Sequence, residues 1–202
     1  MTRESLTKSL RFRITACLAL FILAGCSKSL YYPDNFRIVL REEWGSVSKP
    51  ISSPTHEIKR LTIHHGGVYF DPQKDVADYL INLQSWSRAE KNWPDIPYHY
   101  LIDMNGIMYE GRPAVYPGDT NTDYNPDGHL LICIMGNYEE QEFLPVQYQS
   151  LVRWLKFFSD YYNIPADSIR GHKDYTETLC PGKNFYRFLE TNRIREDVKR
   201  FE

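Results

Sequence analysis

Apolar and polar positions along the chain follow two rhythms, and the switches between them mark the elements. "LTIHHGG" (Leu61–Gly67) is a β-prone run stopped by two glycines, which predicts a strand. In "KDVADYLINLQSWSRAE" (Lys74–Glu90), Val76, Tyr79, Leu80 and Leu83 recur at helical spacing and Trp86 continues the stripe, which predicts an amphipathic helix. "YHYLIDMNGIMYEGR" (Tyr98–Arg112) places two β-prone runs about Asn105-Gly106, a strong hairpin signal. "LLICIMG" (Leu130–Gly136) is apolar without alternation, as expected of a central strand covered on both faces. "PVQYQSLVRWLKFFSDYYN" (Pro145–Asn163) aligns Tyr148, Leu151, Val152, Leu155, Phe158 and Tyr162 on one stripe, with Pro145 suited to the first turn and Asn163 to the end. A short helix over Ile194–Phe201 closes the chain. The order strand, helix, hairpin, strand, helix predicts a mixed α/β fold, a central mixed sheet flanked by helices.

The first residues break this pattern. Arg3, Lys8, Arg11 and Arg13 precede the apolar run "ITACLALFIL", which is too short to span a bilayer as a mature helix and reads as an export signal. The run ends in "LAGC" (Leu23–Cys26), which resembles a bacterial lipobox, with cleavage before Cys26 and lipid on its thiol. The expected organisation is a lipoprotein signal peptide over 1–25, a lipidated tether over 26–36 and one domain over 37–202. A lipidated Cys26 implies a membrane partner through the anchor. Ser27 after it resembles outer-membrane sorting, so the expected location is the bacterial cell envelope, facing the periplasm.

Composition changes this picture little. The chain has 202 residues, 42% of them hydrophobic, enough for one core, and a formal net charge of -2 that gives no support for a nucleic-acid partner. Fifteen tyrosines suit either a carbohydrate or peptide groove or a core with polar ends. With Cys17 removed and Cys26 lipidated, Cys133 and Cys180 remain in an oxidising compartment, where they could pair. Cys133 in its apolar run reads equally as a small buried thiol.

Candidate chemistry gathers in "GHKDYTETLCPG" (Gly171–Gly182), where His172 and Cys180 lie eight positions apart among turn-formers. Imidazole and thiolate are ligands that zinc favours, and a catalytic zinc takes three protein ligands and keeps one position open. "IHHGG" offers a third donor. Because adjacent strand residues face opposite sides, only one of His64 and His65 is expected to reach a metal. Read singly, each histidine is as well explained as a packed side chain and Cys180 as a half-buried thiol.

"REEWGS" (Arg41–Ser46), "LTIHHGG", "IPYHYLIDMNGIMYEGRP", "LLICIMGNYEE" and "GHKDYTETLCPGKNFY" follow in that order over Ile38 to Tyr186. Together they resemble the zinc N-acetylmuramoyl-L-alanine amidases that share a fold with peptidoglycan recognition proteins. The resemblance implies that His64, His172 and Cys180 hold Zn²⁺, that Tyr98 is the catalytic tyrosine, and that Thr178, two before the cysteine, belongs to the catalytic set. It implies hydrolysis by zinc-activated water of the amide joining N-acetylmuramic acid to L-alanine, in a peptidoglycan or muropeptide substrate, by a monomer. Two neutral imidazoles and one thiolate leave such a site one net positive charge, which acidifies water. The alternatives are a non-catalytic peptidoglycan-binding lipoprotein, or a structural lipoprotein with a Cys133–Cys180 disulfide.

Other residues carry open readings. Asp174 suits either a carboxylate that orients a ligand imidazole or a turn carboxylate. Arg112 suits either a core ion pair or a contact to the stem peptide. His65 and His99 read as packing or supporting residues and Trp44 as core, while Trp93 and Tyr116 lie in loops near the predicted cleft. The sequence departs from the family where many relatives carry Gly-x-His after the hairpin. Here "YPGDTNTDYN" puts Asp119 or Thr120 in that place.

Overall fold

The computed structural model describes residues 30–201. The expected signal peptide over 1–25 and the expected lipidation site Cys26 lie outside the described residues. The chain divides into Met1–Pro33, of which residues 30–33 are described and carry no helix or strand, and Asp34–Glu202, which holds every element below. Among the described residues no helix is long and apolar enough to cross a membrane.

Six strands form one sheet: β1 (Ile38–Val39), β2 (Arg60–His65), β3 (Tyr100–Ile102), β4 (Met108–Glu110), β5 (His129–Ile134) and β6 (Arg170–Gly171), in the order β1-β4-β3-β5-β2-β6. Only β3 and β4 run antiparallel; the other neighbours are parallel. The sheet is therefore mixed, as the order of elements predicted. β5 is buried at every position and β2 at all but Arg60. Parallel strands covered on both faces need apolar side chains in both directions, which explains why "LLICI" does not alternate.

Four helices cover the sheet: α1 (Val76–Glu90), α2 (Pro145–Tyr162), α3 (Lys183–Glu190) and α4 (Arg193–Arg200). Asp75 caps α1 by accepting from the Asp78 N–H at 3.0 Å. Val76, Tyr79, Leu80 and Leu83 of α1 pack against Leu101, Tyr109, Cys133 and Met135. Trp86 departs from the expected stripe: it is 43% exposed, while Gln84 and Ser87 are buried instead. Gln84 is accommodated because its Nε2 donates to Asp95 Oδ1 at 2.8 Å and to Ser46 Oγ at 2.9 Å. On the opposite face α2 buries Leu151, Val152, Trp154, Leu155 and Phe158, with Phe158 against Tyr100 at 4.6 Å between ring centroids. Pro145 opens α2, and Asn163 ends it in the left-handed region at φ 54°.

The hairpin turn between β3 and β4 is held by Asp103, whose Oδ1 accepts from the N–H groups of Asn105 at 2.9 Å and Ile107 at 2.7 Å. Gly106 sits there at φ 73°, and a Cβ on it would lie 2.8 Å from the Val146 carbonyl oxygen, so the turn docks against the start of α2 only as glycine.

Candidate functional site

His64 ends β2. In the parallel register with β5 it stands beside Cys133, which belongs to the core on the α1 side, so His64 points toward α1. His65 points the other way and accepts from the Tyr138 N–H through Nδ1 at 3.1 Å. One histidine of the pair therefore reaches the site, as strand alternation requires. β6 pairs Thr62 with Arg170 and Ile63 with Gly171, so the next step along both chains brings His64 beside His172. Their ring centroids are 4.5 Å apart.

Cys180 arrives by loop closure. The Lys173 N–H donates to the Cys180 carbonyl at 3.0 Å, folding "KDYTETLC" back on itself. Gly182 follows at φ 88°, where a Cβ would lie 2.4 Å from the Tyr138 carbonyl carbon, so only glycine lets the loop pass Tyr138 this closely. Cys180 Sγ lies 3.7 Å from His64 Nδ1 and accepts from the His65 N–H at 3.3 Å.

One ligand atom from each of His64, His172 and Cys180 falls within 4.8 Å of the others, the one such group found among the described residues. The donors fit a tetrahedral zinc: bonds of about 2.3 Å to sulfur and 2.0–2.1 Å to nitrogen place the two donors ~3.6 Å apart, close to the 3.7 Å between Sγ and His64 Nδ1. Burial drives the His64 imidazole well below its ordinary range, with His172 beside it adding to the effect, and burial lowers His172 to about 4. Both rings are thus neutral, the form that binds metal. Burial pushes the Cys180 thiol up to about 12, against the pull of the His65 N–H. A cation is what this pocket needs to hold a thiolate.

The donors sit in a cleft of about 260 Å³ at the carboxyl ends of β2 and β6, bordered by Trp86, Trp93, Tyr98, Thr120 and Thr178. Ligands in open α/β sheets characteristically bind outside those strand ends. Tyr98 packs on His64 at 5.4 Å between centroids, and its hydroxyl lies 3.5 Å from the His65 carbonyl. Burial, with Cys133 and Cys180 nearby, holds its phenol well above the ordinary value, so it keeps its proton. Thr178 Oγ1 accepts from the Cys180 N–H at 3.2 Å.

Asp174 accepts from the Gly171 N–H at 2.8 Å and from the Tyr186 hydroxyl, which makes it a turn carboxylate. Arg112 is buried: it pairs with Asp119 and donates to the carbonyls of Asp95, Ile96 and Pro117. His99 accepts from the Leu131 N–H through Nδ1 and donates to the Tyr116 carbonyl through Nε2, so it packs and cannot ligate. Trp44 is core. Trp93 lines the cleft and Tyr116 does not. Cys133 and Cys180 are both free thiols, so the alternative with a disulfide between them is not what the fold builds.

Two residues that sequence reading passed over also reach the donors. Tyr124 places its hydroxyl 3.2 Å from His64 Nε2, and Thr122 Oγ1 lies 2.7 Å from His172 Nε2. They lie in the same "DTNTDY" segment whose departure from the family pattern was visible, and that departure was the one signal that could have drawn attention to them.

The mixed sheet and its cleft define the amidase and peptidoglycan-recognition class of domain. The chain belongs to the N-acetylmuramoyl-L-alanine amidase family, whose pattern it matches over residues 54–183. It is 31% identical to peptidoglycan-recognition protein SD of Drosophila simulans, over 76% of this chain and 84% of that protein. Its fold is similar to the crystal structure of Drosophila peptidoglycan recognition protein SD, with a TM-score of 0.68 and 27% identity over 77% of this chain and 94% of that one. The amidase LysC of Clostridium intestinale shares the fold at a TM-score of 0.61 and 24% identity, over 81% of this chain and 97% of that one.

Proposed function

We propose that the domain hydrolyses the amide between N-acetylmuramic acid and L-alanine in peptidoglycan, with His64, His172 and Cys180 holding a Zn²⁺. The convergence of those three donors within 4.8 Å at the head of a cleft carries this reading. When bound, zinc supplies Lewis acidity that polarises the scissile carbonyl and acidifies water.

The chain's own groups do the rest. The His65 N–H, 3.3 Å from Sγ, stabilises Cys180 as a thiolate. The Tyr98 phenol, kept protonated by its burial, is a donor aimed into the cleft beside His64, where charge develops on the carbonyl oxygen. Thr178 accepts from the Cys180 N–H and so keeps its own proton free for the same oxygen. Trp86 and Trp93, at 6.2 Å edge to face, offer apolar walls to a sugar or peptide.

The second reading, peptidoglycan binding without cleavage, has in its favour the relatives named as recognition proteins. A complete donor set with Cys180 in place favours the enzyme. The test is mass spectrometry of products from purified peptidoglycan, with and without a chelator. Free stem peptides with a new L-alanine amino terminus are expected only without chelator, and Cys180→Ser is expected to lose turnover while still sedimenting with cell wall. Turnover unchanged by both the chelator and the substitution would sink the proposal.

A further inference from the structure

Zinc-binding histidines ordinarily present one ring nitrogen to the metal while the other hydrogen-bonds a partner that fixes tautomer and ring orientation. Here the partners come from one loop. The Tyr124 hydroxyl meets His64 Nε2 at 3.2 Å, and His64 Nδ1 is the atom that faces Cys180 Sγ, at 3.7 Å. Thr122 Oγ1 meets His172 Nε2 at 2.7 Å.

Both hydroxyls are themselves held. Thr120 Oγ1 lies 2.8 Å from Thr122 Oγ1 and accepts from the Thr122 N–H at 3.2 Å. The Tyr124 ring stacks on Tyr175 at 5.6 Å and lies 4.9 Å from His172 and 5.3 Å from His129. The start of the loop is pinned by Asp119, whose N–H donates to the Pro97 carbonyl at 3.2 Å and whose carboxylate pairs with Arg112.

We infer that Thr122 and Tyr124 are positioning residues of the metal centre, holding His172 and His64 by Nε2 so that Nδ1 of each ring is committed to the ion. The inference rests on the metal-centre reading above. It gives the protons a direction: His172 Nε2–H donates to Thr122, whose own hydroxyl donates to Thr120, while His64 Nε2–H donates to Tyr124. Because the partners are hydroxyls rather than carboxylates, they orient the rings without adding negative charge. Two imidazoles and one thiolate then leave a bound Zn²⁺ its net positive charge. Thr120, one of the two residues in the place where many relatives carry a groove histidine, here backs up the imidazole of a ligand.

The test uses the full-length chain and its Thr122→Val, Thr122→Ser and Tyr124→Phe variants. Zinc affinity is measured by competition with a chromogenic chelator, and Co²⁺ loading is followed by visible absorption. Thr122→Val and Tyr124→Phe are expected to bind zinc ~10–100-fold more weakly, the usual effect of losing such a partner. The Co²⁺ bands are expected to shift in Thr122→Val and to return in Thr122→Ser, which keeps the hydroxyl. Thermal midpoints of the metal-free variants separate lost affinity from lost fold. Should Thr122→Val fail to fold, the near-isosteric Tyr124→Phe decides the matter. Wild-type affinity and an unchanged Co²⁺ spectrum in both variants would overturn the inference alone. A wild-type chain that takes up neither metal would overturn the metal-centre reading and this inference with it.

Discussion

At the scale of single residues the cleft asks most of Tyr98. Its hydroxyl makes a long 3.5 Å contact to the His65 carbonyl and neighbours the Cys133 thiol, weak partners that a reacting oxygen can displace. A contact made chiefly in the transition state acts on kcat. Tyr98→Phe is therefore expected to lower kcat by about 10²-fold, as loss of one oxyanion donor does, with KM little changed. Steady-state kinetics on a muropeptide decide it, and a change confined to KM would remove the tyrosine from the chemistry. The three donors were legible in the sequence because their residue types are scarce and sit in a recognisable order of motifs. Thr122 and Tyr124 were not. A hydroxyl in a polar loop has no periodicity and no charge to mark it, and its role exists only once β2 and β6 have brought two imidazoles within its reach.

At the scale of elements, the long periodic segments were legible and the short ones were not. α1, α2, β2, β5 and the hairpin fell where the hydrophobic pattern put them, and α4 ran from Arg193 to Arg200 against an expected Ile194–Phe201. β1 and β6, two residues each, are too short to carry a rhythm, and α3 was hidden in the aromatic run after Gly182. Trp86 broke its stripe because the cleft opens where the stripe would have met the core. Between elements, Arg112 clamps the segments on either side of Tyr98 by binding the carbonyls of Asp95, Ile96 and Pro117 and the carboxylate of Asp119. Removing one partner of a buried ion pair leaves the others unsatisfied, so Arg112→Ala is expected to cost about 3–5 kcal/mol. A midpoint in urea unaltered from wild type would contradict that clamp.

At the scale of the whole molecule, the fold keeps several histidines neutral away from the donors. Burial is the first cause in each: it lowers His99 from 6.5 to about 3 and His129 from 6.5 to about 4. Below 6.5 the unfolded chain takes up protons on these rings and the folded chain does not. Stability therefore rises with pH in this window and is lost as pH falls from 6.5 toward 4 and then 3. The slope approaches about 1.4 kcal/mol per pH unit for each such histidine. Denaturant titrations across the window are expected to show the decline, and His99→Gln to show a shallower one. A flat profile in the wild type would mean these rings titrate alike in both states.

The pairing of β6 with β2 has one more consequence. That outermost strand is bonded at only Thr62↔Arg170 and Ile63↔Gly171, a seam too brief to be strong by itself, yet it is what sets the two imidazoles side by side. An ion seated between them would rivet the seam shut from the side-chain end. Loading and edge closure would then be a single event, and withholding zinc would fray that margin at the same stroke that, on the proposed function, stops hydrolysis.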